Sequence, residues 1–143
     1  MRTLGIDYGR RRIGLALSDE EGILASPLRV YIRGHSEEKD MAALVSLIRK
    51  LEATELVIGL PLNMDGSHGE MALEVAEFAR RIQQETGLQV ELYDERLTSQ
   101  EAERVLIEAN LSRRRRREHR DSLSAVLILQ GHLDRRRSSK HSL

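Results

Sequence analysis

The sequence predicts an α/β fold: a mixed sheet of five strands, in the order 3-2-1-4-5, with helices on both faces. Three observations carry this. Up to residue 32 the chain reads as three short strands separated by turn signals. Beyond them the apolar spacing lengthens from two residues to three or four, and helix and strand patterns then alternate. The segment 56–60 is apolar throughout, as expected of a strand covered on both faces.

The elements follow in order. Thr3 to Asp7 is a short apolar strand that ends on a carboxylate. In Arg12 to Ser18, Ile13, Leu15 and Leu17 point one way, while Gly14, Ala16 and Ser18 point the other. Asp19-Glu20-Glu21-Gly22 signals a turn, and Ile23 to Ile32 is a third strand. Pro27 inside it predicts an edge position, because proline donates no ladder hydrogen bond. These three strands form an antiparallel meander. Met41, Leu44, Val45, Ile48 and Leu51 mark the buried face of a helix, with Glu37 and Glu38 before it, where negative charge suits the helix dipole.

Leu56 to Leu60 is the fourth strand, and a right-handed crossover lays it parallel to the first. Met71, Val75, Phe78 and Ile82 mark a second helix, ended by Gly87. Leu88, Val90 and Leu92 alternate with Gln89, Glu91 and Tyr93, as in a half-exposed strand. Thr98-Ser99-Gln100-Glu101 fits a capping box for a helix that Leu106 and Ala109 continue. The five arginines Arg113, Arg114, Arg115, Arg116 and Arg117 read as a linker to a last helix bearing Leu123, Val126, Leu127 and Leu133. Residues 1–134 make one domain. Residues 135–143 are expected to be a disordered basic tail with almost nothing to bury.

Composition excludes several classes of function. The 143 residues carry 23 basic and 23 acidic side chains, so net charge predicts no partner. Its distribution does: twenty of the basic residues are arginine, whose planar fork suits phosphate better than a lysine point charge does. Without cysteine there is neither disulfide frame nor thiolate metal site. No apolar run approaches the roughly 18 residues of a membrane span, and the amino-terminal residues lack the apolar core of a signal peptide. A cytoplasmic protein with no membrane partner is expected. Tyr8, Tyr31, Phe78 and Tyr93 are the only aromatic residues, so an aromatic stacking platform is not the expected binding mode.

The polar residues converge. If strands 3–7, 56–60 and 88–93 are parallel, their carboxyl ends share one rim, where open α/β sheets bind ligands. Asp7 ends the first, Pro61-Leu62-Asn63 leaves the second, and Asp94 and Glu95 end the third. Asp121, Ser124, Ala125 and Ile128 share one face of the last helix, which could bring Asp121 to that rim. Asp121 reads equally as the amino-terminal cap of that helix. Singly, Asp7 could cap a turn, and Asp94-Glu95-Arg96 could be a solvated ion pair. Carboxylates from distant segments that meet at one rim repel each other, and a hard divalent cation neutralises them.

The loop Asn63-Met64-Asp65-Gly66-Ser67-His68-Gly69 lies on the same rim, and Ser67 with Glu70 could cap the helix after it. Arg10, Arg11 and Arg12 follow Asp7, and the run Arg113 to Arg117 precedes Asp121. Acids for a metal, flanked by arginines for phosphates, is what phosphodiester cleavage requires. The five histidines show no zinc spacing, and His119 reads as a surface residue beside the basic run.

At four points the residues resemble the YqgF-type, or RuvX, family: LGIDYGRRRIGLALSD, VIGLPLNMDGSHG, DERLTSQEAE and DSLSAVLILQGHLD. The resemblance extends from about residue 3 to residue 134, with His119-Arg120 and Ser124 departing from the family pattern. It implies a ribonuclease-H-like fold and a divalent-metal-dependent nuclease, with catalytic, metal-holding acids at Asp7, Glu95 and Asp121 and Mg²⁺ or Mn²⁺ as the cation. It implies maturation of the 5′ end of pre-16S ribosomal RNA, with Holliday junctions as the other substrate. The expected partners are structured or single-stranded RNA, ribosomal precursor particles and branched DNA, met by a monomer or weak homodimer. Asn63, Ser67 and His68 of the rim loop are candidate substrate contacts. Two other readings compete. The opening D-x-G and hairpin also occur in actin-like and sugar-kinase ATP-binding folds, but those need two such domains and this chain supplies one. A catalytically idle RNA-binding module would retain the same acids.

Overall fold

The computed structural model describes residues 2–98 and 113–141, with side chains of the last helix described for 122–139. Its sheet joins β1 (Thr3–Asp7), β2 (Arg12–Ser18), β3 (Ala25–Ile32), β4 (Glu55–Leu60) and β5 (Gln89–Asp94) in the order β3-β2-β1-β4-β5. β1 and β2 are antiparallel, with Asp7 opposite Gly14. β4 runs parallel to β1, with Ile6 opposite Ile58, and β5 parallel to β4, with Leu60 opposite Asp94. The carboxyl ends of β1, β4 and β5 therefore lie on one rim. Pro27 lies on the edge strand β3, opposite Ala16, at a register shift between Leu15 and Ala16. Both the edge and the irregularity tolerate its missing N–H and blunt the edge against further pairing.

Helices α1 (Glu37–Leu51) and α2 (Glu70–Thr86) cover one face, and α3 (Arg113–His141) covers the other. Ser36 caps α1, its Oγ accepting from Lys39 N at 3.2 Å; Glu37, Glu38 and Asp40 lie inside the first turn, favourably placed for the dipole. The helix stops at Glu52, whose backbone takes the left-handed conformation (φ 56°). Under α1 and α2 the sheet contributes Leu4, Ile6, Ile13, Leu15, Leu56 and Ile58, against Leu44, Ile48, Val75 and Ile82. Burying each of these side chains stabilises the fold by roughly 1.5–3 kcal/mol.

The α3 face is built differently. Along β1, β2 and β4 it has small residues, Gly5, Ala16 and Gly59, beneath Ala125, Ile128 and Leu129, with Val57 and Tyr93 completing the sheet side. A Cβ on Gly5 would come within 2.7 Å of Leu129 Cβ and 3.0 Å of the Ala125 carbonyl oxygen. The helix backbone thus rests almost directly on β1, a close approach that glycine permits.

α3 corrects three readings of the sequence. The arginine run 113–117 is its first turns, not a linker, as arginine's good helix propensity allows. Asp121 lies inside the helix, so it is not the amino-terminal cap. The helix also continues through residues 135–141, where a disordered tail was expected. Arg135 lies over the Tyr93 ring at 5.5 Å and Arg136 bonds Glu55, so this stretch has partners on the sheet that its own composition does not reveal. The expected helix around Leu106 and Ala109 falls outside the described residues. Thr98, read as part of its capping box, closes the turn after β5 instead, donating to the Glu95 carbonyl at 2.8 Å.

Candidate active site

Asp7 and Glu95 meet at the rim. β1 carries Asp7 on the same face as Gly5, because side chains alternate along a strand. Glu95 opens a single 3₁₀ turn (Glu95–Leu97) directly after β5. Its side chain lies over β4 at Gly59, where a Cβ would come within 2.5 Å of Glu95 Oε1 and of Ile128 Cδ1. Gly59 is thus the space that the acid occupies. The Glu95 carboxyl hydrogen-bonds that of Asp7. Burial pushes the Glu95 pKa up, the Asp7 hydrogen bond opposes this, and the charge of Asp94 adds to the rise.

The register of α3 sets where Asp121 falls. His132 and Arg136 bond Glu55 at the start of β4, whereas Ile128 reaches Gly59 near its end. The helix therefore runs antiparallel to β4 and β1. Ala125 and Leu129 lie at Gly5, and Ser122 Oγ donates to the Leu15 carbonyl of β2 at 3.3 Å. Two strand residues onward from Gly5 is Asp7, about 6.6 Å away, and one helical turn back from Ala125 is residue 121, about 6 Å away. The backbone of Asp121 thus lies beside the end of β1. Its side chain, with those of His119 and Arg113 to Arg117, is outside the described residues.

The turn after Asp7 is held from the opposite face. Tyr8 donates its hydroxyl to Glu74 Oε1 at 2.8 Å and stacks on Phe78, ring centroids 4.8 Å apart. Arg33 lies over the Tyr8 ring at 5.1 Å, donates to the Gly9 carbonyl at 3.1 Å, and pairs with the buried Asp40 at 3.2 Å. Arg10, expected to bind substrate, donates to Glu74 Oε2 at 3.0 Å, so it points to α2 and away from the acids. Arg11 and Arg12 line the depression at Asp7. Arg12 lies on the same face of β2 as Gly14, the partner of Asp7.

On the other side, Pro61, Leu62, Met64, Asp94, Glu95, Arg96 and Leu97 line an adjoining groove. The rim loop above it is closed on itself. Asn63 N donates to the Ser67 carbonyl at 3.0 Å, and Asn63 Nδ2 to Ser67 Oγ at 3.0 Å. Ser67 donates its Oγ–H to Asp65 Oδ1 at 2.6 Å, so it does not cap α2 as expected; Gly69 stands at the cap with no side-chain bond. Asn63, Ser67 and His68 are all exposed on this rim.

Two parts of the arrangement escaped sequence reasoning. The Glu74, Arg33 and Asp40 supports lie on elements whose contact with the turn depends on packing alone. Gly59 did leave a signal, since a glycine inside an otherwise apolar strand marks a close approach.

Asp7 and Glu95 offer hard oxygens in mutual contact, which repel unless a proton or cation lies between them; this donor chemistry fits Mg²⁺ or Mn²⁺. Among the described residues no group of three or more Asp, Glu, His or Cys side chains is placed to hold a metal. The side chain of Asp121, expected as the third acid, is outside the described residues.

A family model described as RuvX, Holliday junction resolvase, matches residues 1–135. A protein of Moorella thermoacetica named "Putative pre-16S rRNA nuclease" is 52% identical over 135 residues, 94% of this chain and 96% of the relative. One of the same name from Syntrophomonas wolfei is 46% identical over 134 residues, 94% of each. Among solved structures, Thermus thermophilus RuvC in complex with a Holliday junction superposes with a TM-score of 0.60 over 97% of this chain and 98% of that one. At 16% identity that likeness bears on the fold, which is ribonuclease-H-like.

Proposed function

The chain belongs to the RuvX family, and from that premise we propose that it is a metal-dependent nuclease that hydrolyses phosphodiester bonds, with the 5′ end of pre-16S ribosomal RNA as substrate. The observation that carries the reading is the contact between Asp7 and Glu95, brought from β1 and β5 to one rim with a groove on either side. The name shared by the relatives supports the ribosomal substrate.

Asp7 and Glu95, with Asp121 from α3, would hold Mg²⁺ or Mn²⁺. When bound, such a cation stabilises charge on phosphoryl oxygens and lowers the pKa of water. The chain's own residues do the rest. Glu95, half-buried under α3, keeps a proton more readily than a solvated carboxylate, and would have to be deprotonated to hold the cation. Arg11 and Arg12, which line the depression at Asp7, would meet the phosphates there, and the run Arg113 to Arg117 is assigned further phosphate contacts on its charge alone. Asn63, Ser67 and His68 stand where a ribose could be read. The partners are RNA and ribosomal precursor particles in the cytoplasm, met by a monomer or weak homodimer.

The description of the family model favours a second substrate, the Holliday junction. Cutting a junction symmetrically needs two sites related by a two-fold axis. The deciding experiment compares cleavage of a pre-16S precursor and a four-way DNA junction by the purified protein, at equal Mg²⁺ or Mn²⁺ and salt. Preference for the precursor, abolished by Asp7→Asn with the fold retained, is expected. Preference for the junction with symmetric cuts would overturn the ranking, and full activity in Asp7→Asn would overturn the site. Binding without cleavage would leave the idle RNA-binding module.

A further inference from the structure

Arg96 joins two parts of the groove that lie 32 residues apart in the chain. On one side its Nε donates to both oxygens of Asp94 at 3.0 Å, and its Nη2 to Asp94 Oδ2 at 2.7 Å. On the other its Nη1 donates to the Met64 carbonyl at 3.2 Å. Asp94 Oδ1 also accepts the backbone N–H of Arg96 at 3.0 Å, which caps the 3₁₀ turn that presents Glu95. The rim loop is closed by its own bonds between Asn63, Asp65 and Ser67. The Met64 carbonyl is where the guanidinium holds it.

We infer that Arg96 is a positioning residue: gripped by Asp94, it fixes the rim loop 63–67 against the turn that carries Glu95, so that the loop facing substrate and the acid keep one spacing. The inference rests on the nuclease reading above for its consequence, though not for its geometry. A guanidinium can bond Asp94 through two nitrogens while a third reaches Met64. A lysine ammonium is a single point at the end of a flexible stem and cannot span both. The alternative is that Arg96 is a plain phosphate ligand, and the two assignments separate cleanly.

The test compares the parent with Arg96→Lys, Asp94→Asn, Arg96→Ala, Asp94→Ala and the double alanine variant. Both side chains are partly exposed, 36% for Arg96 and 24% for Asp94, and an unchanged melting temperature verifies that each variant folds. Three quantities are read: kcat and KM on the RNA precursor, the salt dependence of binding, and amide hydrogen exchange in residues 63–67. Arg96→Lys is expected to speed exchange in the loop and to lower kcat/KM by roughly 10- to 100-fold, the scale of a misplaced site. The salt slope of Arg96→Ala, which removes the charge, should stay that of the parent. Asp94→Asn should behave like Arg96→Lys, and the double alanine variant should lose no more than either single one.

Loop exchange at the parent's rate in Arg96→Lys, or additive losses in the alanine cycle, would overturn the inference. So would a log–log salt slope shallower by roughly 0.7–0.9 in Arg96→Ala, which would make Arg96 a phosphate ligand. A parent that cleaves nothing with either cation would overturn the nuclease reading. Loop exchange would then decide the positioning role by itself.

Discussion

Asp40 shows how a residue far from the acids holds their surroundings in place. It is buried in α1, and its carboxylate accepts from Tyr31 and Gly34 at 3.0 Å and pairs with Arg33 at 3.2 Å. Burial alone would raise its pKa, but these bonds outweigh burial and hold it below the ordinary 3.8. The sign follows: a carboxylate with a depressed folded pKa adds stability above its unfolded pKa and loses it as pH falls through the folded value. The parent should therefore lose melting temperature on acidification from about pH 5 to pH 3 more steeply than Asp40→Asn does. At neutral pH, Asp40→Asn should cost about 3 kcal/mol in denaturant unfolding, because Arg33 is left nearly buried without its counter-charge. Parallel acid slopes for the two proteins would refute the assignment. None of this was legible beforehand: Arg33 and Asp40 are seven residues apart in an unremarkable loop and helix start. Asp7, by contrast, stood out as a carboxylate at the end of an apolar strand.

At the scale of elements, the seat of α3 confines the space that Glu95 occupies over β4. The helix lies on Gly5 and Gly59, and its two halves are fastened by Ser122 on Leu15 and by His132 and Arg136 on Glu55. Gly59→Ala puts a Cβ 2.5 Å from both Glu95 Oε1 and Ile128 Cδ1, so either the acid or the helix has to shift. The expected result is a loss of about 1–3 kcal/mol in denaturant stability and at least a tenfold loss of kcat. Gly5→Ala meets Leu129 Cβ and the helix backbone at Ala125, and should cost as much stability by lifting α3 from β1. If Gly59→Ala leaves both activity and stability at parental values, Glu95 does not occupy the space over β4. The strands themselves were legible, since alternation, the apolar run and Pro27 are local signals. The length of α3 was not. A helix that begins with five arginines and ends beyond three more has little apolar periodicity at either end, and its carboxyl-terminal part is held by pairs to Tyr93 and Glu55.

For the molecule as a whole, charge is balanced in sum but segregated in place. Replacing Arg113 to Arg117 by serine should weaken RNA binding and flatten its salt dependence, each lost phosphate contact removing roughly 0.7 from the log–log slope on single strands or 0.9 on duplex. An unchanged slope would mean that the run is only solvated. Among the described residues no helix is long and apolar enough to cross a membrane. By itself the sequence determined the class of fold, the order of the strands, and the arrival of Asp7 and Asp94-Glu95 at one rim. These follow from periodicity, from strand ends and from the handedness of crossovers, all carried by short stretches of chain. Only the tertiary structure decided that Asp7 meets Glu95, that Arg10 turns to Glu74 while Arg11 and Arg12 stay at the groove, and that Arg96 clasps the rim loop. Three adjacent arginines carry the same local signal. Which of them meets a carboxylate 64 residues away depends on the face of the sheet it leaves from and on the helix packed there.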